Sequence, residues 1–164
     1  MTKMNDDGGL IGMRTEDLRV QALKNPLGIN ENPVFSWQLV SDKKDEKNER
    51  QTAYRILVSE SEASLINETG MLWDSGVVKE SRCFGILYQG KKLHSAQKAY
   101  WKVMVWDGEN QASVWSETAS FETGLLERED WKGTWIGQGE DYENQELAPV
   151  LVGEFEVADL EQVV

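Results

Sequence analysis

Residues 100–106 form the segment that most restricts the fold. Trp101, Val103 and Val105 fall on one side of an extended chain, and Tyr100, Lys102, Met104 and Trp106 fall on the other. A period of two is that of a strand with one face against a core. A buried ammonium needs a partner for its charge, so the Trp101 set is assigned to the inside and the Lys102 set to the outside. Asp107-Gly108 then supplies a hairpin-type turn signal, and Trp115-Ser116-Glu117 reads as the opening of the next strand.

The same period recurs along the chain. Leu18, Val20 and Ala22 share one face of a first strand, which Asn25-Pro26-Leu27-Gly28 ends, because proline lacks a ladder N–H and glycine tolerates positive φ. Phe35, Trp37 and Leu39 alternate with polar residues, as do Tyr54, Ile56 and Val58. Leu72-Trp73-Asp74-Ser75-Gly76 reads as a short strand closed by a turn, Phe84, Ile86 and Tyr88 as a strand ended by Gln89-Gly90, and Ala119, Phe121 and Thr123 as the inward face of a last strand. Between them, Ser41–Arg50 is a mixed-charge run without apolar period, hence a solvated loop. Glu60–Thr69 allows one helical turn with Leu65 and Ile66 inward. Seven strand-like segments without a long helical period predict an all-β fold, an antiparallel two-sheet β-sandwich.

Residues 1–15 are polar and glycine-bearing and read as a disordered lead-in, so the sandwich is expected over residues 16–126. The acidic stretch Glu127–Asp130 reads as a linker. Beyond it lie Trp131, Trp135-Ile136-Gly137 and an alternating segment through Leu151, Phe155 and Val157. Two strands cannot build a core of their own. Residues 127–164 are therefore expected to be a linker and the incomplete start of a second β-sandwich domain.

Charge narrows the partners. There are 17 basic and 29 acidic residues, a net charge of -12, which repels phosphate backbones and anionic membranes but not a neutral glycan. No stretch approaches the roughly 20 apolar residues of a membrane helix. The single cysteine, Cys83, allows no internal disulfide and fits a reducing compartment. With no apolar signal core in the first twelve residues, a cytoplasmic location is expected, and an extracellular one stays open.

Reactive chemistry has little to work with. His94 and Cys83 are the lone representatives of their types and cannot form a zinc cluster. The aspartates lack EF-hand spacing, and no glycine-rich stretch has a phosphate-loop setting, so neither metal nor cofactor is expected. Glycoside hydrolysis by inversion needs two carboxyl groups about 6.5–9.5 Å apart. Asp74, Asp107 and Glu117 do sit beside tryptophans, yet their places at strand ends assign them turn and cap roles, and no catalytic residue is named. Trp37 and Trp101 alternate with polar residues and belong to the core. Trp73, Trp106 and Trp115 lie near strand ends, where a ring can stack on a sugar, cover the sandwich edge or meet another domain; they are the candidate carbohydrate-binding residues.

Several short motifs occur in a fixed order: Asn25-Pro26-Leu27-Gly28-Ile29, Phe35-Ser36-Trp37, Gln51-Thr52-Ala53-Tyr54-Arg55-Ile56, Leu72-Trp73-Asp74-Ser75-Gly76, Tyr100-Trp101-Lys102-Val103, Val105-Trp106-Asp107 and Trp115-Ser116-Glu117. Each is weak alone, but the ordered set resembles the N-terminal module of bacterial α-L-rhamnosidases, an immunoglobulin or fibronectin type III-like sandwich. Trp131 to Gly137, Pro149 and the segment to Val157 are similar to the entry into that family's next β-sandwich. The resemblance spans residues 17–157. It implies a parent enzyme that removes terminal α-L-rhamnose by hydrolysis with inversion, whose acid and base lie in a downstream barrel of paired helices and map to no residue of this chain. It further implies a non-catalytic structural module, not itself an enzyme, whose partners are the downstream domains of the same chain. The alternative is a carbohydrate-binding module whose tryptophans meet a glycan.

Overall fold

A computed structural model describes residues 13–41, 50–134, 136 and 152–154. The chain divides into two compact units, Met1–Trp131 and Lys132–Val164. The charged run over residues 42–49, Trp135 and the segment through Leu151, Phe155 and Val157 lie outside the described residues, as do residues 1–12 of the expected lead-in.

Among the described residues the first unit is a sandwich of seven strands: β1 (Met13–Val20), β2 (Val34–Ser41), β3 (Ala53–Ser59), β4 (Trp73–Asp74), β5 (Ile86–Leu87), β6 (Lys98–Trp106) and β7 (Ala119–Glu122). A single-turn helix, α1 (Glu62–Ile66), joins β3 to β4. One sheet runs β1-β2-β5 and the other β4-β3-β6-β7, and every pairing within them is antiparallel. In the β3–β6 register Ile56 faces Val103 and Val58 faces Trp101. Cross-strand partners share a face, so the inward sets of the two strands meet and close over Phe35 and Trp37 of the opposite sheet. Phe35 is the hub. Its ring centroid lies 4.6 Å from Trp101, 5.8 Å from Trp73, 6.0 Å from Phe121 and 6.5 Å from Tyr88, in tilted and edge-on arrangements that suit the ring quadrupoles. The alternation read for β2, β3, β6 and β7 is thus the one observed.

Other expectations require correction. β1 begins at Met13, so Met13–Thr15 belong to the sandwich and not to a lead-in. Met13, Thr15 and Val20 are buried, which no single period of two permits; a β-bulge between Glu16 and Arg19, with Asp17 at φ 50°, resets the face. Ala22 lies past the strand in a turn, exposed, at φ 62°. Phe84 is 66% exposed, because Gly85 at φ 68° turns the chain and leaves only Ile86–Leu87 to pair with β2. In α1, Leu65 is fully buried but Ile66 is 67% exposed; adjacent residues of a helix cannot share a face.

Trp115-Ser116 does not open a strand, since β7 starts at Ala119. Instead two serines carry the pairing along β6 with their side chains. Ser113 Oγ accepts from Val105 N at 3.1 Å and Ser116 Oγ from Val103 N at 3.0 Å, while their own N–H groups donate to the Val105 and Val103 carbonyls at 2.8 and 2.9 Å. The backbone groups of β6 are satisfied without a regular neighbour.

The expected linker is likewise attached. Glu127 pairs with Lys92 at 2.9 Å, Ser95 donates to Asp130, Leu126 N donates to Ser95 Oγ at 2.7 Å, and Arg128–Asp130 forms a 3-10 turn. The first unit therefore extends past residue 126.

Candidate functional site

The outer face of the four-stranded sheet carries the densest polar and aromatic chemistry. Tyr54, Ile56 and Val58 point inward, so Arg55 and Leu57 point outward, and Lys102, Met104 and Trp106 do the same on β6. α1 covers part of this face. Ser61 caps it by accepting from Ser64 N at 3.1 Å, and Leu65 is fully buried, as is Leu57 of the sheet it covers.

Beside the helix, Arg55 makes a two-pronged contact with Asp74, Nε to Oδ1 at 2.9 Å and NH2 to Oδ2 at 2.7 Å, and reaches Glu68 at 3.5 Å. Asp74 Oδ1 also accepts from Gly76 N at 2.9 Å and so caps the turn after β4. The hydrogen bonds from Arg55 hold the Asp74 carboxyl below its ordinary value of 3.8, against the opposing effect of burial. Trp115 meets two cations of this face, its ring centroid 4.6 Å from Lys102 Nζ and 5.7 Å from the Arg55 guanidinium carbon. Lys102 is only 8% exposed, and burial lowers its pKa while Glu68 opposes that shift. The argument that a buried Lys102 needs a partner placed it on the correct side of β6. What it missed is that Lys102 is buried there too, with an aromatic ring against the charge. Trp115 is non-local in sequence, and no period of two could have revealed it.

The structure separates the three candidate tryptophans. Trp73 pairs with Val58 and turns inward, 5.8 Å from Phe35 and 5.4 Å from Tyr88. Trp106 is half-buried on the outer face, opposite Ala53 and bridged to Ala112. Trp115, on the same face, lines a cleft of about 480 Å³ that opens between β1 and residues 114–119, with Thr15, Asp17, Lys24, Asn25 and Glu117 around it.

The acids beside tryptophans are occupied at two of three positions. Asp74 holds Arg55, and Asp107 Oδ1 accepts from Glu109 N at 2.9 Å and Gln111 N at 2.8 Å, capping the turn after β6. His94 is an exposed loop residue, and Cys83 is half-buried against the core. Among the described residues no group of three or more histidine, cysteine or acidic side chains could hold a metal ion, and no helix is long and apolar enough to cross a membrane.

Fold and strand order together define an immunoglobulin-like sandwich. Residues 15–127 match the family model of the Rha78A-like, N-terminal immunoglobulin domain, and the chain belongs to that family. It is 43% identical over 114 residues to an α-L-rhamnosidase of Alteromonas sp. (strain LOR), a match covering 69% of this chain and 12% of that protein. An α-L-rhamnosidase of Formosa agariphila is 42% identical over 118 residues, 71% of this chain and 12% of that protein. Among solved structures, an α-L-rhamnosidase from Dictyoglumus thermophilum superposes with a TM-score of 0.72 at 42% identity, covering 77% of this chain and 14% of that one. The Streptomyces avermitilis α-L-rhamnosidase complexed with L-rhamnose also gives 0.72, at 32% identity over 79% of this chain and 12% of that one. This chain thus spans about an eighth of the length of the curated relatives it matches.

Proposed function

We propose that this chain is the non-catalytic N-terminal module of an α-L-rhamnosidase, and that the protein it serves hydrolyses terminal α-L-rhamnose from glycosides with inversion. The observation that carries this reading is the family match over residues 15–127, to a domain that makes up 12% of each full-length relative. The role is architectural. A sandwich whose two sheets close over one aromatic cluster and whose outer face is tied by the Arg55–Asp74 pair offers a rigid body against which downstream domains of the same chain can pack. Two of the three acids beside tryptophans support it as well, because Asp74 and Asp107 are engaged in turn caps. A single thiol fits a reducing compartment and supports a cytoplasmic location.

The test is hydrolysis of a chromogenic α-L-rhamnoside by this chain and by a longer polypeptide that continues beyond Val164. Turnover is expected from the longer protein alone. Sustained turnover by the 164-residue chain would refute the non-catalytic reading, and inactivity of the longer protein would refute the parentage.

A further inference from the structure

The three-stranded sheet ends in an open edge at β5, and we propose that Phe84–Leu87 takes up an extended acidic segment of the parent polypeptide there as an added strand. Tyr88 N donates to Pro33 O at 2.9 Å and Trp37 N to Cys83 O at 3.0 Å. Tyr88 therefore belongs to the set of residues whose backbone groups turn toward β2. In an antiparallel ladder the neighbouring residue points its N–H and C=O the other way. Leu87 thus offers both groups to the outside, and the backbones of Phe84 and Gly85 hydrogen-bond to nothing among the described residues. The side chains along this edge are apolar. Phe84 and Leu87 are both more than half exposed, and Val34, opposite Leu87 in the register, shares its outer face. Free ladder groups beside exposed apolar side chains make a template for another strand.

Charge identifies the occupant. From Val77 to Lys91 the chain carries Lys79, Arg82 and Lys91 against one acid, Glu80. Arg82 pairs with Glu80 at 2.9 Å, while Lys79 and Lys91 are exposed and have no ion-pair partner among the described residues. This is a basic rim on a chain of net charge -12. A second copy fits it poorly. Antiparallel pairing of two such edges about Leu87 sets Arg82 of one copy toward Lys91 of the other, and like charges facing each other destabilise a sheet. The same cations favour a strand with carboxylates between its apolar residues. Its source is the parent chain. This module makes up 12% of the relatives it matches, and the rest of such a protein stays tethered to it at high effective concentration. The inference rests on the reading of this chain as a module of a longer protein.

The test compares backbone hydrogen exchange in the 164-residue chain with that in a longer polypeptide that continues beyond Val164. The segment Cys83–Tyr88 should exchange on the order of tenfold more slowly in the longer protein. In that protein Lys79→Glu combined with Lys91→Glu, and separately Phe84→Ser, should restore fast exchange in this segment and leave β3 and β6 protected. A merely structural effect would loosen those strands too. Equal exchange in the two proteins would overturn the proposal, as would protection that survives either variant. So would protection in the 164-residue chain that grows with its concentration, the mark of a second copy. Rhamnoside turnover by the same longer protein keeps the two readings apart. Turnover without protection refutes the docking alone, and protection without turnover refutes the assigned activity alone.

Discussion

The indole N–H of Trp37 donates to Oε1 of Gln51 at 3.0 Å inside the sandwich. Gln51 is itself buried, and its amide nitrogen donates to the carbonyls of Glu80 and Arg82 at 3.1 and 2.9 Å. One side chain thus ties β2 to the segment before β5 and leaves none of its own polar atoms idle.

Replacing Gln51 by leucine strands an indole donor and removes the donor that two carbonyls share. The expected loss is ~3 kcal/mol of unfolding free energy, since each buried unpaired group costs roughly 1–3 kcal/mol. Trp37→Phe should cost less than that. The double variant should lose less than the sum, because the first substitution already removes the shared bond. Urea unfolding of the four proteins checks this, and strict additivity would contradict the assigned network.

Alkaline stability should report on Tyr88. Its hydroxyl donates to the Lys91 carbonyl at 2.9 Å, and burial pushes its pKa up from 10.0 to about 12. Below pH 10 the folded and unfolded forms both hold the proton, and the stabilisation is complete. Above that point the unfolded chain releases the proton while the folded chain keeps it, so stability falls as pH rises toward about 12. The wild-type chain should exceed Tyr88→Phe by about 1 kcal/mol at neutral pH, and the difference should shrink and then change sign across that window, because each pKa unit is worth about 1.4 kcal/mol. Chemical denaturation at stepped pH measures it; a difference that stays constant would exclude Tyr88 as its source.

Lys102 should behave in the opposite sense. Burial holds its folded-state pKa below the ordinary 10.5. Between the lowered value and 10.5 the unfolded chain binds more protons, so stability rises with pH through that interval, and the cost of the buried charge is fully present below it. Lys102→Met should therefore stabilise the protein at neutral pH by about 1 kcal/mol, the relief of desolvation outweighing the lost contact with Trp115. The gain should disappear as pH approaches 10.5. Thermal melts of both proteins check the trend, and a destabilised variant at neutral pH would mean that the ring contact dominates.

Strand parity was legible wherever one face of a strand met the core and the other did not. Phe35 and Trp37, Tyr54 and Ile56, and Trp101 and Val103 all announced their side by alternation. The bulge at Asp17 was not legible, because a single left-handed aspartate leaves the composition of β1 unchanged. Phe84 misled because an apolar residue one step from Gly85 has the right spacing but the wrong chain direction. For the candidate site, tryptophans near strand ends could be picked out, but their destinations could not. Trp73 joins the inner rings through its pairing with Val58, and Trp115 reaches Lys102 across the outer face. Both depend on register between distant segments.

The grip of Lys92 and Ser95 on Glu127 and Asp130 has a mechanical meaning. The backbone does not swing free where the last strand stops; it departs from a fixed foothold on the end of the sandwich. A cut made at residue 126 would therefore remove a fastened strap and not a loose tail.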